Sequence, residues 1–288
     1  MDAGGSVPRK HATVRQERLG RELRRLREAA GLSAREAAQA LGTISVTMSR
    51  TESGLMGISE ARVRRMATQY GCTDSELIDA LVEIATDSTR GWWEEYREVL
   101  GPRFLDLAEL EHHACSLQVI ATAHVPGLLQ TEDYARAVFR YWVPELPESE
   151  QELRVAYRVR RQRILSRESA APYVAILHES VLRTRVADRR VARTQLEELL
   201  RRSEHPRVCI RVVPFDTDGF GGASSSLVYA GGRVPSLDTV QRDTPYGSAF
   251  LDAAAQLHAM RTLFRKVESA SLDAARSRDF IHRLAKEL

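Results

Sequence analysis

The chain has 288 residues, 43% of them hydrophobic and 28% charged, with a formal net charge of +3. That length accommodates two domains of ordinary size, and the composition is that of a globular protein. No stretch approaches about 18 consecutive apolar residues, which argues against a membrane span, and the opening MDAGGSVPRKHATV lacks the apolar core of a signal peptide and reads as a mobile polar tail, residues 1–14. The cysteines, Cys72, Cys115 and Cys209, are odd in number and widely spaced. They point to reduced thiols in a cytoplasmic protein, with no disulfide framework, metal site or cofactor. The charge is unevenly divided. Residues 1–73 hold 13 Lys/Arg against 7 Asp/Glu, and the remainder holds 29 against 32, so the basic excess lies at the N-terminal end, where a polyanion would be met.

The spacing predicts a helix over 15–30, with Leu19, Leu23, Leu26 and Ala30 on one face and Gly31 ending it. SARE then reads as a capping box, Ser33 at N-cap and Glu36 at N3. Ala37, Ala38 and Leu41 face inward, and Gly42 supplies a left-handed turn. A third helix is predicted from Ser45 to Ser53, a fourth from Ser59, and a fifth behind a second capping box, TDSE, with Thr73 and Glu76 as the pair.

Five short helices with a tight join at Gly42 form a compact bundle over 15–84. On Gly31, Ser33, Glu36, Ala37, Ala38, Leu41, Gly42, Met48, Ser49, Arg50, Glu52 and Gly54, it resembles the lambda-repressor-like (XRE, Cro-type) helix-turn-helix domain. The resemblance implies that the third helix enters the DNA major groove by its N-terminal end, with Ser45, Val46, Thr47 and Arg50 at base-reading positions. Their chemistry suits that role, since arginine forks onto guanine, and valine and threonine methyls meet the thymine methyl. It also implies phosphate contacts at Ser33 and Ser53, and a structural ion pair between Arg27 and Glu52. Arg35 is a further basic candidate for the backbone, with tail residues Arg9 and Lys10 reaching along it. Two departures stand out: Thr51 replaces the usual Ile or Leu, and the loop GLMGIS, 54–59, is apolar where relatives carry Lys or Arg.

A polar linker is predicted at 85–91, followed by Trp92, Trp93 and Tyr96 on one short helix. Beyond it, helices are expected at 104–114, after Thr131, over 148–166 and over RRVARTQLEELLRRSE, with closing helices near 247–267 and 271–287. Strands are expected at CSLQVIATAHV, 173–179, 207–215, 225–230 and 236–241. The fold class is therefore an all-α helix-turn-helix domain followed by an α+β sensor-like domain over 92–288.

The stretch GWWEEYREVL, PGLLQTEDYARAVFR, RQRIL, ILHESVLR, QLEELL and VVPF is similar to the C-terminal domain, of unknown function, in actinobacterial WhiJ-like regulators. That resemblance implies an antitoxin-like pairing with a small partner protein encoded nearby. Trp92, Trp93, Tyr96, Gln130, Tyr134, Arg161 and Gln162 are the candidates for a ligand or partner pocket, and each also reads as a core aromatic or a buried, satisfied polar residue. No catalytic group can be nominated: His178–Glu179 lacks the second histidine of HExxH, and GFGG, 219–222, lacks a following Lys-Ser/Thr. The expectation is a cytoplasmic, nucleoid-associated transcriptional regulator, a homodimer on an inverted-repeat DNA operator, whose C-terminal domain senses a small-molecule effector or docks a protein. The alternative is an antitoxin-like protein whose DNA binding serves autoregulation.

Overall fold

A computed structural model describes residues 11–222, 225–244 and 247–288. The tail residues Arg9 and Lys10 lie outside the described residues. The chain divides into two units, one running to Leu110 and including Gly232–Asp238, the other comprising Glu111–Gly231 and Thr239–Leu288. The first unit runs past 85–91 to Leu110, and a short distant segment joins it.

The first unit is helical: α1 Val14–Ala29, α2 Ala34–Ala40, α3 Ser45–Glu52, α4 Glu60–Gln69, α5 Ser75–Thr86, a 3₁₀ turn Trp92–Tyr96, and α6 Pro102–His113, which runs three residues past the dividing point. Local chemistry accounts for the ends. Thr13 caps α1 in a reciprocal box with Gln16, so the helix begins within the segment read as tail. Ser33 and Glu36 form the box at α2, and such a cap is worth about 1 kcal/mol. At α5 the cap is Asp74, which accepts from the Leu77 amide, not Thr73: the carboxylate one residue on reaches the open N–H groups. Gly31, Gly42 and Gly54 all sit at positive φ, where a β-carbon would be strained.

The core of this unit gathers Leu23, Met48, Val63, Met66 and Leu81, and it is completed by Val234 and Leu237 from the distant segment. That segment is held by Arg18, whose guanidinium donates to the Ser236 carbonyl, and by Asp238, which accepts from the Gly232 amide at 2.9 Å.

The second unit is built on a six-stranded sheet: β1 Ser116–Ala121, β2 Tyr173–His178, β3 Val208–Val213, β4 Leu227–Gly231, β5 Thr239–Thr244 and β6 Gly247–Leu251, in the order β3-β2-β1-β4-β5-β6. β1, β2 and β3 are parallel, and the remaining pairs are antiparallel. The helices are α7 Glu132–Arg140, α8 Glu148–Arg161, α9 Glu179–Arg183, α10 Arg189–Arg202, α11 Ala254–Ala270 and α12 Ala274–Glu287. α11 lays Leu257, Phe264 and Val267 against Ile120, Ile176 and Val240 on one sheet face.

The sequence reading errs at the hairpin. The strand expected at 236–241 begins only at Thr239, because Pro235–Leu237 forms a 3₁₀ turn in the first unit, and residues 247–251, expected in a helix, are β6. GSAFL has no decisive period, and pairing with β5 decides it. At the other edge, β3 is closed by the approach to α12: Val212 donates to Ser277 Oγ at 3.0 Å and its carbonyl accepts from the Leu272 amide at 2.8 Å, so its edge groups are satisfied at that residue.

Candidate nucleic-acid interface

Two glycines bring α3 close to α1. A β-carbon at Gly20 would press into the Glu52 carbonyl oxygen, and one at Gly54 would lie 2.8 Å from the Gln16 backbone. Any larger residue would push the C-terminal end of α3 away. Into this contact Arg27 sends a fork, Nε to Glu52 Oε1 at 2.6 Å and Nη2 to Oε2 at 2.9 Å, while Nη1 donates to the Leu32 carbonyl at 2.6 Å. Both side chains are buried, and the hydrogen bonds to Glu52 raise the Arg27 pKa above its usual value. Thr51, also buried, returns its hydroxyl to the Thr47 carbonyl at 3.0 Å, which satisfies the polar group that replaces an aliphatic anchor. Ala37 and Ala38 are buried, so α2 packs closely in the same core as Met48.

Anchored at that end, α3 presents the other. Ile44 is 66% exposed and Val46 57% exposed, the only large hydrophobic residues of 11–86 marked by such exposure. Ser45, Ser49 and Arg50 are exposed beside them, and Thr47 is half-buried. No side chain caps α3 at Ile44, so its first-turn amides are open to an external acceptor. No acidic residue lies in that turn. Among the described residues Arg35 and Arg50 enter no ion pair, whereas Arg21, Arg24 and Arg25 of α1 are matched to Glu17, Glu28 and Glu22. Of these three helices, α2 and α3 thus carry the cations left for an outside partner.

The hydroxyls are partly committed. Ser33 Oγ accepts from the Glu36 amide at 3.2 Å, and its hydroxyl also serves the Glu36 carboxylate. Glu36 is held below the usual carboxylate range by hydrogen bonds from the Ser33 side chain and backbone, so a negative charge stands at the start of α2. Ser53 Oγ donates to the Arg50 carbonyl at 3.2 Å. Sequence reasoning passed over Ile44 and Gly20. The signal for Gly20 was a glycine inside a strongly helical pattern; for Ile44 it was an aliphatic residue at a helix N-cap, where a polar cap is usual.

The seven pocket candidates do not share one unit. Trp92, Trp93 and Tyr96 belong to the first, where Trp92 meets both other rings edge-on at 6.1 and 5.9 Å and Gly91 leaves room for the Trp93 ring. The other four belong to the second and secure the loop 125–131. Gln130 donates to the Val125 carbonyl at 2.7 Å, Gln162 to the Gln130 carbonyl at 2.7 Å, and the Tyr134 hydroxyl accepts from the Val125 amide at 3.3 Å. Arg161 is ion-paired with Glu111 at 2.9 Å. Unremarked in the sequence, Arg158 reaches Gln130 Oε1 at 2.7 Å and lies over the Phe139 ring at 4.1 Å.

Among the described residues no group of three or more His, Cys, Asp or Glu is placed to hold a metal ion, and no helix is long and apolar enough to cross a membrane. Residues 18–81 match the family model of a helix-turn-helix domain, and residues 104–283 match a second family model, described as a domain of unknown function (DUF5753). No curated protein and no solved structure matches.

Proposed function

The chain belongs to the DUF5753 family and carries a helix-turn-helix domain, and from that premise we propose that it is a sequence-specific transcriptional regulator. DNA binding and a regulatory role follow from the helix-turn-helix domain itself. The finer reading is ours: Ser45, Val46, Thr47 and Arg50 read base edges, and Ser33, Arg35 and Ser53 contact phosphates. The observation that carries it is the exposed start of α3, uncapped and free of acid, with Arg50 further along the same helix and Arg35 on α2 both outside any ion pair among the described residues. A single such domain contacts few base pairs, so a homodimer spanning two half-sites about 34 Å apart is the economical arrangement. The C-terminal unit then senses an effector and shifts the population competent for DNA.

Selection of bound sequences from a random DNA pool tests this with the full chain and its Arg50→Ala variant. An enriched inverted repeat is expected, with Arg50→Ala costing about 1–3 kcal/mol at one base position. A loss equal on all sequences would place Arg50 on phosphate; no enrichment would sink the reading. A second reading, an antitoxin-like hold on a small partner protein, is favoured by the tip between α7 and α8, where Tyr141 and Val143 are exposed. Co-purification of a small partner that leaves operator affinity unchanged is the result that would select it.

A further inference from the structure

The sheet of the second unit gathers its chemistry at one edge. β1, β2 and β3 end there, β4 and β6 begin there, and β5 ends there. In open sheets the carboxyl ends of parallel strands are where ligands bind. On the face that α11 covers, the register aligns Ile176, Ile120 and Leu227, all apolar, with Arg242. One step further toward the edge, strand alternation puts His178 and Ser225 on the same face, while the Thr122 hydroxyl meets Ser226 Oγ at 3.4 Å. The face therefore turns from apolar to polar at its rim.

The rim is a connected line. His178 Nδ1 lies 2.7 Å from Ser180 Oγ, which donates to the Thr122 carbonyl at 3.0 Å. The Thr122 amide donates to Ser226 Oγ at 3.0 Å. Next in sequence, Ser225 Oγ accepts from Arg242 through Nη2 at 2.6 Å and Nε at 3.2 Å. Arg242 meets no carboxylate among the described residues, and its Nη1 has no partner there. At the opposite end, Phe220 stacks on His178 at 5.8 Å, and Phe215 meets it edge-on at 5.2 Å while remaining 59% exposed. On either side of Phe220 in the chain, Gly219, Gly221 and Gly222 have no atom of the described residues within 4 Å of where a β-carbon would stand.

We infer that this rim binds a flat aromatic acid, its ring against Phe215 and His178 and its anionic group on Arg242 and the neighbouring hydroxyls. Arg242 stands on β5, but its guanidinium reaches Ser225 just before β4, two strand spacings or about 10 Å from β2, which sets the distance from ring to anion and calls for two or more rings. An exposed aromatic ring supplies the apolar contact, and an arginine edge with no carboxylate supplies the charge-assisted one. The assignment rests on reading the C-terminal unit as the sensing part, and it supplies the effector class.

The test uses the full chain and two fluorescent probes, anilinonaphthalene sulfonate and the uncharged phenylnaphthylamine. Saturable sulfonate binding near one per chain is expected, weakened roughly tenfold or more by Arg242→Ala. Arg242→Lys should lose less, and Phe215→Ala should weaken both probes. The Arg242 dependence separates this site from dye adhering to the exposed tip at Tyr141. Unchanged sulfonate affinity in an Arg242→Ala chain of normal melting temperature overturns the site, as does the absence of saturable binding. Should Arg242→Ala fail to fold, Arg242→Lys decides: affinity equal to wild type with both that variant and Phe215→Ala overturns the site. Operator affinity with and without sulfonate separates the two readings. Saturable, Arg242-dependent binding that leaves operator affinity unchanged supports the site and removes sensing, whereas operator binding without sulfonate binding removes only the site.

Discussion

Arg27 in the helical unit and the Arg158–Arg161 pair in the mixed unit are all withdrawn from solvent, and they are accommodated in opposite ways. Arg27 meets a carboxylate on two nitrogens and a carbonyl on the third. Arg161 Nε lies 2.9 Å from Glu111 Oε2 but out of line for a hydrogen bond, and the nearby Tyr173 hydroxyl is buried without a partner among the described residues. Burial and the neighbouring Arg161 push the Arg158 pKa down to about 9. Burial likewise pushes Glu111 up to about 7, against the favourable pull of Arg161 and Arg158. A closed fork makes charge a structural fastener, whereas a loosely met cluster stores unfavourable desolvation that titration can release.

Breaking the closed fork carries the largest expected effect. Glu52→Gln leaves Arg27 buried without its countercharge and should cost about 3–5 kcal/mol, read as an earlier urea transition of the helical signal. A double change of Arg27→Met with Glu52→Leu should recover much of it; equal loss in both would mean the fork is incidental.

The loose cluster predicts a pH dependence. With a folded pKa near 7 and an ordinary value near 4.5, folded Glu111 keeps a proton that the unfolded chain has released across that interval. Stability from this group is full below about pH 4.5 and is lost as pH rises toward 7, by up to about 3 kcal/mol. Glu111→Gln should flatten that part of the profile of melting temperature against pH. A profile identical to wild type would show that Arg161 keeps Glu111 ionised throughout.

The smallest effect tests the same contrast. Tyr173→Phe removes a buried hydroxyl that makes no hydrogen bond among the described residues, so stability should stay within about 1 kcal/mol of wild type or rise. A loss of about 2 kcal/mol or more in denaturant titration would reveal a partner, such as a bound water, at that hydroxyl.

Much of the helical unit was legible because its signals act over three or four residues. Ser33 with Glu36, and the glycines at 31, 42 and 54, specify where helices start and stop without reference to the rest of the chain. Thr131 at the head of α7 was legible for the same reason. Arg158 was not: its neighbour Arg161 stood out only inside a motif, and nothing in RVRRQRIL states which arginine turns inward to Gln130.

The sequence by itself determined the two fold classes, many of the helix starts and stops, and the presence of strands, because periodicity and capping report local free energy; the helix-turn-helix entered through the resemblance carried by residues 31–54. Only the tertiary structure decided the strand order, the use of Val234 and Leu237 to complete the helical core, and the polar rim from His178 to Arg242. A period of two tells which face a strand buries but not which strand lies beside it, and contacts between segments far apart in the chain leave no local trace to read.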